Sequence, residues 1–120
     1  WTTSLIKGEN IKIYGDGKQS REFIYIDDLL SAYEIIINKM LSSTELAGEV
    51  INIGTGVDIN IKYLAEEICS KVNNFKYDKI IYGPSRPGEV KRFISNSDKM
   101  KSFNWSPQIN LSEGLDKYSF

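Results

Sequence analysis

Three arginines are the residues of this chain best suited to hold an anion. The 120 residues contain 15 lysines and arginines, and only Arg21, Arg86 and Arg92 are arginines. A guanidinium offers planar pairs of N–H donors that match two oxygens of a phosphate or carboxylate, whereas lysine supplies a point charge. Two of the arginines fall in glycine-bearing loops. We therefore interpret Arg21 and Arg86 as candidate anion ligands, with a structural ion pair as the alternative for either one.

The two loops combine residue types that suit a phosphate-bearing ligand. In the first, Gly15 to Arg21, glycines permit close backbone approach and Gln19 can bind hydroxyl or amide groups. The second contains Arg86-Pro87-Gly88-Glu89. Its guanidinium and carboxylate could pair with each other, or hold a phosphate and a ribose diol respectively.

Composition excludes several kinds of chemistry. The chain has no histidine, so no histidine proton shuttle or histidine-ligated metal site exists, and we expect no metal. Its single cysteine, Cys69, has no partner for an internal disulfide, which fits a reducing compartment. The net charge of -1 does not suit a nucleic-acid binder, and no apolar run is long enough for a bilayer. We expect neither nucleic acid nor membrane as a partner.

Apolar periodicity predicts short strands alternating with helices, which is the α/β class. The predicted strands cover 11–14, 23–26, 50–53 and 80–82, with a brief extended piece at 93–95. Helices are predicted at 2–8, after Asp27 and Asp28, after Asn60, after Ser97 and from 111. The second of these helices has apolar positions at helical spacing that predict a broad buried face: Leu29, Leu30, Tyr33, Ile36, Ile37, Met40 and Leu41.

The segment Gly54-Thr55-Gly56 superficially matches a dinucleotide-binding fingerprint, because it lies between a predicted strand and a predicted helix. The third glycine of that fingerprint is missing, and Ile59 stands in its place. We interpret the segment as a tight turn rather than a cofactor site.

Seven motifs follow one another in an order that is typical of one protein family. They are Ile13 to Asp28, Val50 to Gly56, Ile61 to Ala65, Arg86-Pro87-Gly88-Glu89, Ser97-Asp98-Lys99, Trp105-Ser106-Pro107 and Leu111 to Leu115. In these motifs the chain resembles extended short-chain dehydrogenase/reductases that act on nucleotide sugars. Those enzymes include epimerases, 4,6-dehydratases and decarboxylases. The resemblance covers nearly all of residues 1–120 and implies the C-terminal, substrate-binding portion of a Rossmann-type enzyme.

The resemblance implies a nucleotide-binding role for six residues: Tyr14, Gln19, Arg21, Asn52, Arg86 and Glu89. Arg21 and Arg86 resemble the pair that grips the diphosphate, and Glu89 resembles the acceptor for ribose hydroxyls. Tyr14 would line the base and ribose pocket. Asn52 would contact the nucleotide or only tie down its turn. Asp27 and Asp28 are interpreted mainly as structural helix caps.

Two features of the family are not found in this sequence. Relatives hold NAD on a glycine-rich N-terminal loop and move a proton with a Tyr-x-x-x-Lys pair. Only Tyr14 and Lys18 have that spacing here, in a strand-to-loop segment where it does not place both groups on one helical face. We therefore expect residues 1–120 to be a single nucleotide-sugar-binding fragment, with the NAD-binding Rossmann part absent and no turnover of its own.

The expected parent enzyme is a cytoplasmic, homodimeric, NAD-dependent epimerase or dehydratase of a UDP- or dTDP-sugar. The alternative is a non-catalytic module that binds a nucleotide or only a partner chain.

Overall fold

The computed structural model describes residues 1–72 and 79–118, which form two compact units. The first unit comprises Trp1–Arg21, Asp58–Phe93 and Ser112–Phe120. The second unit comprises Glu22–Val57 and Ile94–Leu111. Within the described ranges, no helix is both long and apolar enough to cross a membrane.

The first unit contains two small pairs of strands and their helices. Its elements are α1 (Thr2–Ile6), β1 (Ile11–Tyr14), β2 (Ser20–Arg21), β3 (Ile59–Asn60), α3 (Ile61–Lys71), β4 (Ile80–Gly83) and all but the first residue of α5 (Leu111–Lys117). Strands β1 and β4 are parallel, with Ile11 opposite Ile80 and Tyr14 opposite Gly83. Strands β2 and β3 are antiparallel. The predicted strands at 11–14 and 80–82 are thus confirmed.

The core of the first unit follows from alternation on β1 and helical spacing on α3. Ile11 and Ile13 point to one face of β1 and are buried. Across from them α3 buries Ala65, Ile68 and Cys69. Burial raises the pKa of the Cys69 thiol, so it packs as a small apolar residue.

Helix α3 begins where the sequence predicts. Asn60 is its N-cap, and its Oδ1 accepts a hydrogen bond from the backbone N–H of Tyr63 at 2.7 Å. A side-chain oxygen in this position satisfies one of the unpaired donors of the first turn. The cap fixes the start of α3 immediately after β3.

The second unit contains α2 (Ile26–Ser42) and α4 (Asp98–Lys101). Its core consists of Ala32, Met100 and Trp105 with six half-buried neighbours: Ile24, Ile35, Ile36, Ile51, Ile53 and Phe103. The Trp105 indole N–H donates to Ser31 Oγ at 2.9 Å. This bond satisfies the polar atom of a buried aromatic ring.

Asp28 has a different role from the predicted one. The N-cap of α2 is Tyr25, which makes no side-chain capping bond, so the capping prediction for Asp27 and Asp28 is wrong. The buried carboxylate of Asp28 instead accepts the backbone N–H groups of Gln108 at 2.9 Å and Ile109 at 3.0 Å. It therefore holds the segment after Trp105 against α2.

The predicted strands at 23–26 and 50–53 are wrong, whereas the extended piece predicted at 93–95 stays a prediction. Ile26 already belongs to α2, and the described residues between α2 and β3 form no strand pair. Strand pairing occurs instead between β2 and β3. Because β2 includes Ser20 and Arg21, the loop predicted for Gly15 to Arg21 is shorter than expected. Strand formation needs a hydrogen-bonded partner, which a local apolar pattern does not supply.

Helix α2 buries less of its apolar surface than its spacing predicts. Ile35 and Ile36 pack on the core. Five residues of the predicted buried face are exposed instead: Leu30, Tyr33, Ile37, Met40 and Leu41. Only part of the predicted buried face is therefore confirmed.

Candidate functional site

The loop between β1 and β2 is held in a tight turn by backbone hydrogen bonds. Gly15 and Gly17 have φ of 80° and 76°, a left-handed conformation that glycine adopts without steric cost. Gly17 also lies against α3, since a Cβ there would be 2.9 Å from the Cβ of Lys62. The Gly17 carbonyl accepts the Lys62 N–H at 3.0 Å. The glycines thus allow the loop to lie directly on the start of α3.

Gln19 closes this loop from within. Its side-chain Nε2 donates to the carbonyl oxygen of Tyr14 at 2.7 Å, and its backbone carbonyl accepts the Ile61 N–H at 2.9 Å. One amide donor of Gln19 is therefore already used inside the protein, while its Oε1 accepts no hydrogen bond from the described residues.

Tyr14 and Lys18 do not form a proton-transfer pair in this loop. The Lys18 ammonium lies 3.5 Å from the Asp16 carboxylate, and the Lys18 backbone N–H donates to the same side chain at 3.0 Å. That backbone hydrogen bond is the main cause that lowers the pKa of Asp16.

Arg21 is a half-buried residue that already has acceptors. Its Nη1 donates to the carbonyl oxygens of Ser20 at 2.6 Å and Val90 at 2.8 Å. Its Nη2 lies 4.0 Å from a carboxylate oxygen of Glu89. Arg21 therefore ties the chain around Val90 to β2.

Arg86 and Glu89 lie at the two ends of one β-turn. The Glu89 N–H donates to the Arg86 carbonyl at 3.2 Å, and Gly88 has a φ of 74°. Proline at the second position and a left-handed glycine at the third are typical of a type II turn. The turn brings the two side chains to neighbouring positions without pairing them to each other.

The Arg86 guanidinium stacks on an aromatic ring. Its Cζ lies 4.1 Å from the centroid of the Tyr14 ring. Within the parts of the chain that the structure describes, no acidic side chain comes within 4.0 Å of the Arg86 nitrogens. Its fork of donors remains available to a ligand.

These side chains surround two cavities in the first unit. One has a volume of about 370 Å³ and nine lining residues: Gly15, Asp16, Lys18, Gln19, Ser85, Arg86, Gly88, Glu89 and Lys91. The second, of about 290 Å³, shares Gln19, Arg86 and Glu89 with the first and is also lined by Tyr14 and Arg21.

The structure thus brings five of the six predicted residues together: Tyr14, Gln19, Arg21, Arg86 and Glu89. The sixth, Asn52, belongs to the second unit and is exposed. Sequence reasoning missed Ser85 and Lys91, which line the larger cavity. Their signal was position alone, since each lies beside or just beyond the Arg86–Glu89 motif.

The Gly54-Thr55-Gly56 turn, in the second unit, surrounds a carboxylate. Glu22 accepts hydrogen bonds from the Gly56 N–H and the Thr55 hydroxyl with one oxygen. Its other oxygen accepts both the N–H and the hydroxyl of Ser95. A Cβ on Gly54 would lie 2.6 Å from both Glu22 oxygens, so a larger residue there would displace the carboxylate.

The hydrogen bonds on Glu22 control its ionisation. Burial by itself raises the pKa of Glu22, but the donors from Ser95, Gly56 and Thr55 outweigh that effect and hold the pKa below its usual value.

This turn does not fit the pyrophosphate of a dinucleotide. A fingerprint loop needs free backbone N–H groups at a helix N-terminus, whereas the Gly56 N–H is occupied by a carboxylate. The Gly56 N–H is therefore not free for a pyrophosphate, and the interpretation of the segment as a tight turn stays a prediction.

Comparison with known proteins gives a consistent result. The family model described as GDP-mannose 4,6 dehydratase matches residues 2–118. A UDP-glucose 4-epimerase from Mycolicibacterium smegmatis is 28% identical over 118 residues, covering 98% of this chain and 36% of that protein. This chain spans about a third of the length of most curated relatives it matches, and 16% of the length of two trifunctional ones.

Solved structures agree in fold. A dTDP-glucose 4,6-dehydratase from Bacillus anthracis, solved in complex with NAD, has a TM-score of 0.82 and 27% identity, covering 97% of this chain and 35% of that one. A UDP-glucose 4-epimerase from Thermotoga maritima, solved with UDP-glucose, has a TM-score of 0.79 and 31% identity, covering 95% of this chain and 35% of that one. The chain belongs to the NAD-dependent nucleotide-sugar epimerases and dehydratases of the extended short-chain dehydrogenase/reductase family.

Proposed function

We propose that this chain is the nucleotide-sugar-binding portion of an NAD-dependent epimerase or dehydratase, and that the cavities of the first unit hold the nucleotide diphosphate. The main support for the proposal is the orientation of the Arg86 guanidinium and its lack of an acidic partner among the described residues. The guanidinium is oriented by the Tyr14 ring at 4.1 Å and lines both cavities without an acidic partner among the described residues. An oriented, unpaired guanidinium suits bidentate binding of phosphate oxygens.

Glu89 supplies the complementary group. It shares both cavities with Arg86, and a carboxylate accepts hydrogen bonds from two neighbouring hydroxyls, as a ribose diol presents them. Arg21 holds the chain at Val90, one residue beyond Glu89, and its other terminal nitrogen lies 4.0 Å from the Glu89 carboxylate. We propose that its remaining donors bind the same diphosphate. Gln19 adds an acceptor to the same cavities.

The contribution of this chain to catalysis is orientation. Binding energy on the nucleotide end positions the sugar for hydride transfer, which lowers the barrier without any bond being made at this site. The proton-transfer pair and the NAD site belong to other residues of the parent enzyme. We therefore propose that residues 1–120 alone bind the nucleotide and have no turnover.

The compartment, the substrate and the oligomeric state of the parent enzyme are also proposals. Cys69 is free and buried, which fits the reducing cytoplasm. A UDP- or dTDP-sugar is the proposed substrate, and a homodimer is the proposed state of the parent enzyme.

Titration calorimetry of the 120-residue chain with UDP, dTDP and uridine tests the binding role. We expect binding of a nucleoside diphosphate and much weaker binding of uridine, because the phosphate contacts contribute most of the affinity. Equal affinities for UDP and uridine would contradict the diphosphate assignment. A coupled assay that detects conversion of a sugar nucleotide by this chain alone would contradict the absence of turnover.

A further inference from the structure

Helix α2 carries apolar side chains that no described residue of the chain covers. This exposed apolar stripe consists of six residues, each at least 50% exposed: Ile26, Leu30, Tyr33, Ile37, Met40 and Leu41. Their spacing of three and four residues places them along one side of α2, from its first turn to its last. Together they present on the order of several hundred Å² of apolar surface, and a contiguous patch of that size marks an interaction site.

The exposed apolar stripe is distinct from the two other sides of α2. One of these sides packs into the core of the second unit through Ala32, Ile35 and Ile36. The other is polar and exposed, and it consists of Asp27, Glu34, Asn38 and Ser42. At about 100° per residue, the stripe lies between them. Helix α2 is therefore polar where it faces water and apolar on two adjoining sides, which is typical of a helix buried by two neighbours.

We propose that the exposed apolar stripe is covered by the remaining part of the parent enzyme, folded against α2 within the same polypeptide. This inference rests on the proposed function, since it requires the longer parent, but it does not depend on the diphosphate site. The chain covers 35% of each of two solved relatives and 36% of a curated one. About two thirds of the length of those relatives therefore lies outside the matched region, which is enough to form a second neighbour for α2.

The segment 50–53, in the same unit, also favours a polypeptide as the occupant. Its backbone N–H and carbonyl groups make no hydrogen bond with any described residue. Ile51 and Ile53 are half-buried in the core that α2 also contacts, whereas Val50 and Asn52 are exposed. Backbone groups need partners when a surface is buried, and a covering polypeptide segment supplies them.

The charges of α2 do not suit a lipid surface as the occupant. A helix that lies on a membrane carries lysines or arginines on its polar side. The polar side of α2 carries the acidic Asp27 and Glu34 instead. The one lysine of α2, Lys39, has its ammonium 4.7 Å from the centroid of the Phe103 ring, on the side of the core. An anionic bilayer would therefore meet carboxylates beside the exposed apolar stripe.

The test places Leu30→Gln/Ile37→Gln in the 120-residue chain and in the longer enzyme encoded by the intact gene. In the 120-residue chain we expect an unchanged melting temperature by circular dichroism, because both side chains already contact water. In the longer enzyme we expect the melting temperature to fall by about 5 °C or more, because the same side chains are buried there.

Two further variants serve as controls for this comparison. Glu34→Gln/Asn38→Gln changes two neighbouring residues on the polar side and should leave both melting temperatures unchanged. Ile36→Gln, on the core side, should lower both, which shows that the measurement detects lost packing on α2.

Three results would overturn the inference. The first is an unchanged melting temperature of Leu30→Gln/Ile37→Gln in the longer enzyme, and the second is a gene that encodes nothing beyond residues 1–120. The third is a dimer of the longer enzyme that the double variant dissociates in sedimentation velocity, which would assign the stripe to a second copy.

Titration with UDP and dTDP separates this inference from the diphosphate site, because the stripe and the cavities belong to different units. If the 120-residue chain binds UDP while the longer enzyme tolerates Leu30→Gln/Ile37→Gln, the inference is wrong and the proposed binding role stands. If neither nucleotide binds while the longer enzyme is destabilised, the binding role fails and the inference stands.

Discussion

The Arg86 guanidinium lies over the ring of Tyr14, with 4.1 Å between its Cζ and the ring centroid. Tyr14 is the last residue of β1, so the ring is fixed by the parallel β1–β4 pair. A residue of an exposed loop thereby acquires a defined orientation from a strand.

Replacing Tyr14 should therefore weaken ligand binding through Arg86. We expect Tyr14→Leu to reduce UDP affinity about twofold to fivefold, since an exposed cation–π contact contributes about 0.5–1 kcal/mol. Tyr14→Phe keeps the ring and should bind like the wild type. Equal losses in the two variants, measured by calorimetry, would show that the hydroxyl matters and the stacking does not.

Arg21 should affect folding as well as binding. Arg21→Ala removes the donors to the Ser20 and Val90 carbonyls. We expect the free energy of unfolding to fall by about 1 kcal/mol, after allowance for the solvent exposure of this side chain. Urea unfolding followed by Trp1 fluorescence in a Trp105→Phe background reports on the first unit. Lys7→Ala is the control and should unfold like its parent, because the exposed Lys7 side chain has no hydrogen bond or ion pair among the described residues.

Gly54 should be tolerant of alanine only when Glu22 is absent. A Cβ at Gly54 would lie 2.6 Å from both Glu22 oxygens, so Gly54→Ala should cost about 2 kcal/mol of stability through displaced hydrogen bonds. In a Glu22→Ala background the same change should cost almost nothing, because contacting residues are not additive. Trp105 fluorescence in a Trp1→Phe background follows unfolding, and it gives the cost of Gly54→Ala with and without Glu22. Gly48→Ala, at a φ of 78° with no neighbour within 4 Å, should cost the same in either background.

Acid should destabilise the second unit through Glu22. The pKa of Glu22 is lowered in the folded chain, so its stabilising effect is fully present above its unfolded value. That effect is lost as the pH falls through the lower folded pKa, which places the window below about pH 4.3. Unfolding free energies measured from pH 6 down toward pH 3 should fall less for Glu22→Gln than for wild type. Glu34→Gln, at an exposed position of α2, should retain the wild-type slope.

The sequence predicted helices more reliably than strands, for a physical reason. Spacing and the Asn60 cap are local signals, and they placed α3 and its start correctly. The segment 50–53 shows the strand-like alternation of half-buried Ile51 and Ile53 with exposed neighbours, yet it has no hydrogen-bonded partner among the described residues. Pairing depends on residues distant in sequence, which a local pattern does not report.

The sequence predicted which residues surround the candidate site better than it predicted how their side chains are arranged. The Arg86–Glu89 motif and the Gly15 loop lie around shared cavities as expected. What the sequence could not indicate is which donors are already used inside the protein, as with Arg21, or which carboxylate the Gly54 turn surrounds. Those facts depend on contacts between segments far apart in the chain.

The central claim is that Arg86 binds the nucleotide diphosphate, and one pair of titrations tests it most directly. Arg86→Ala and Arg92→Ala remove the same charge from the same unit, but Arg92 pairs with Asp58 and lines neither cavity. For Arg86→Ala we expect a loss of UDP or dTDP binding of about 1.5–3 kcal/mol, as for a charge-assisted bond. For Arg92→Ala we expect wild-type affinity. Unchanged binding by Arg86→Ala, or equal losses in both variants, would contradict the account.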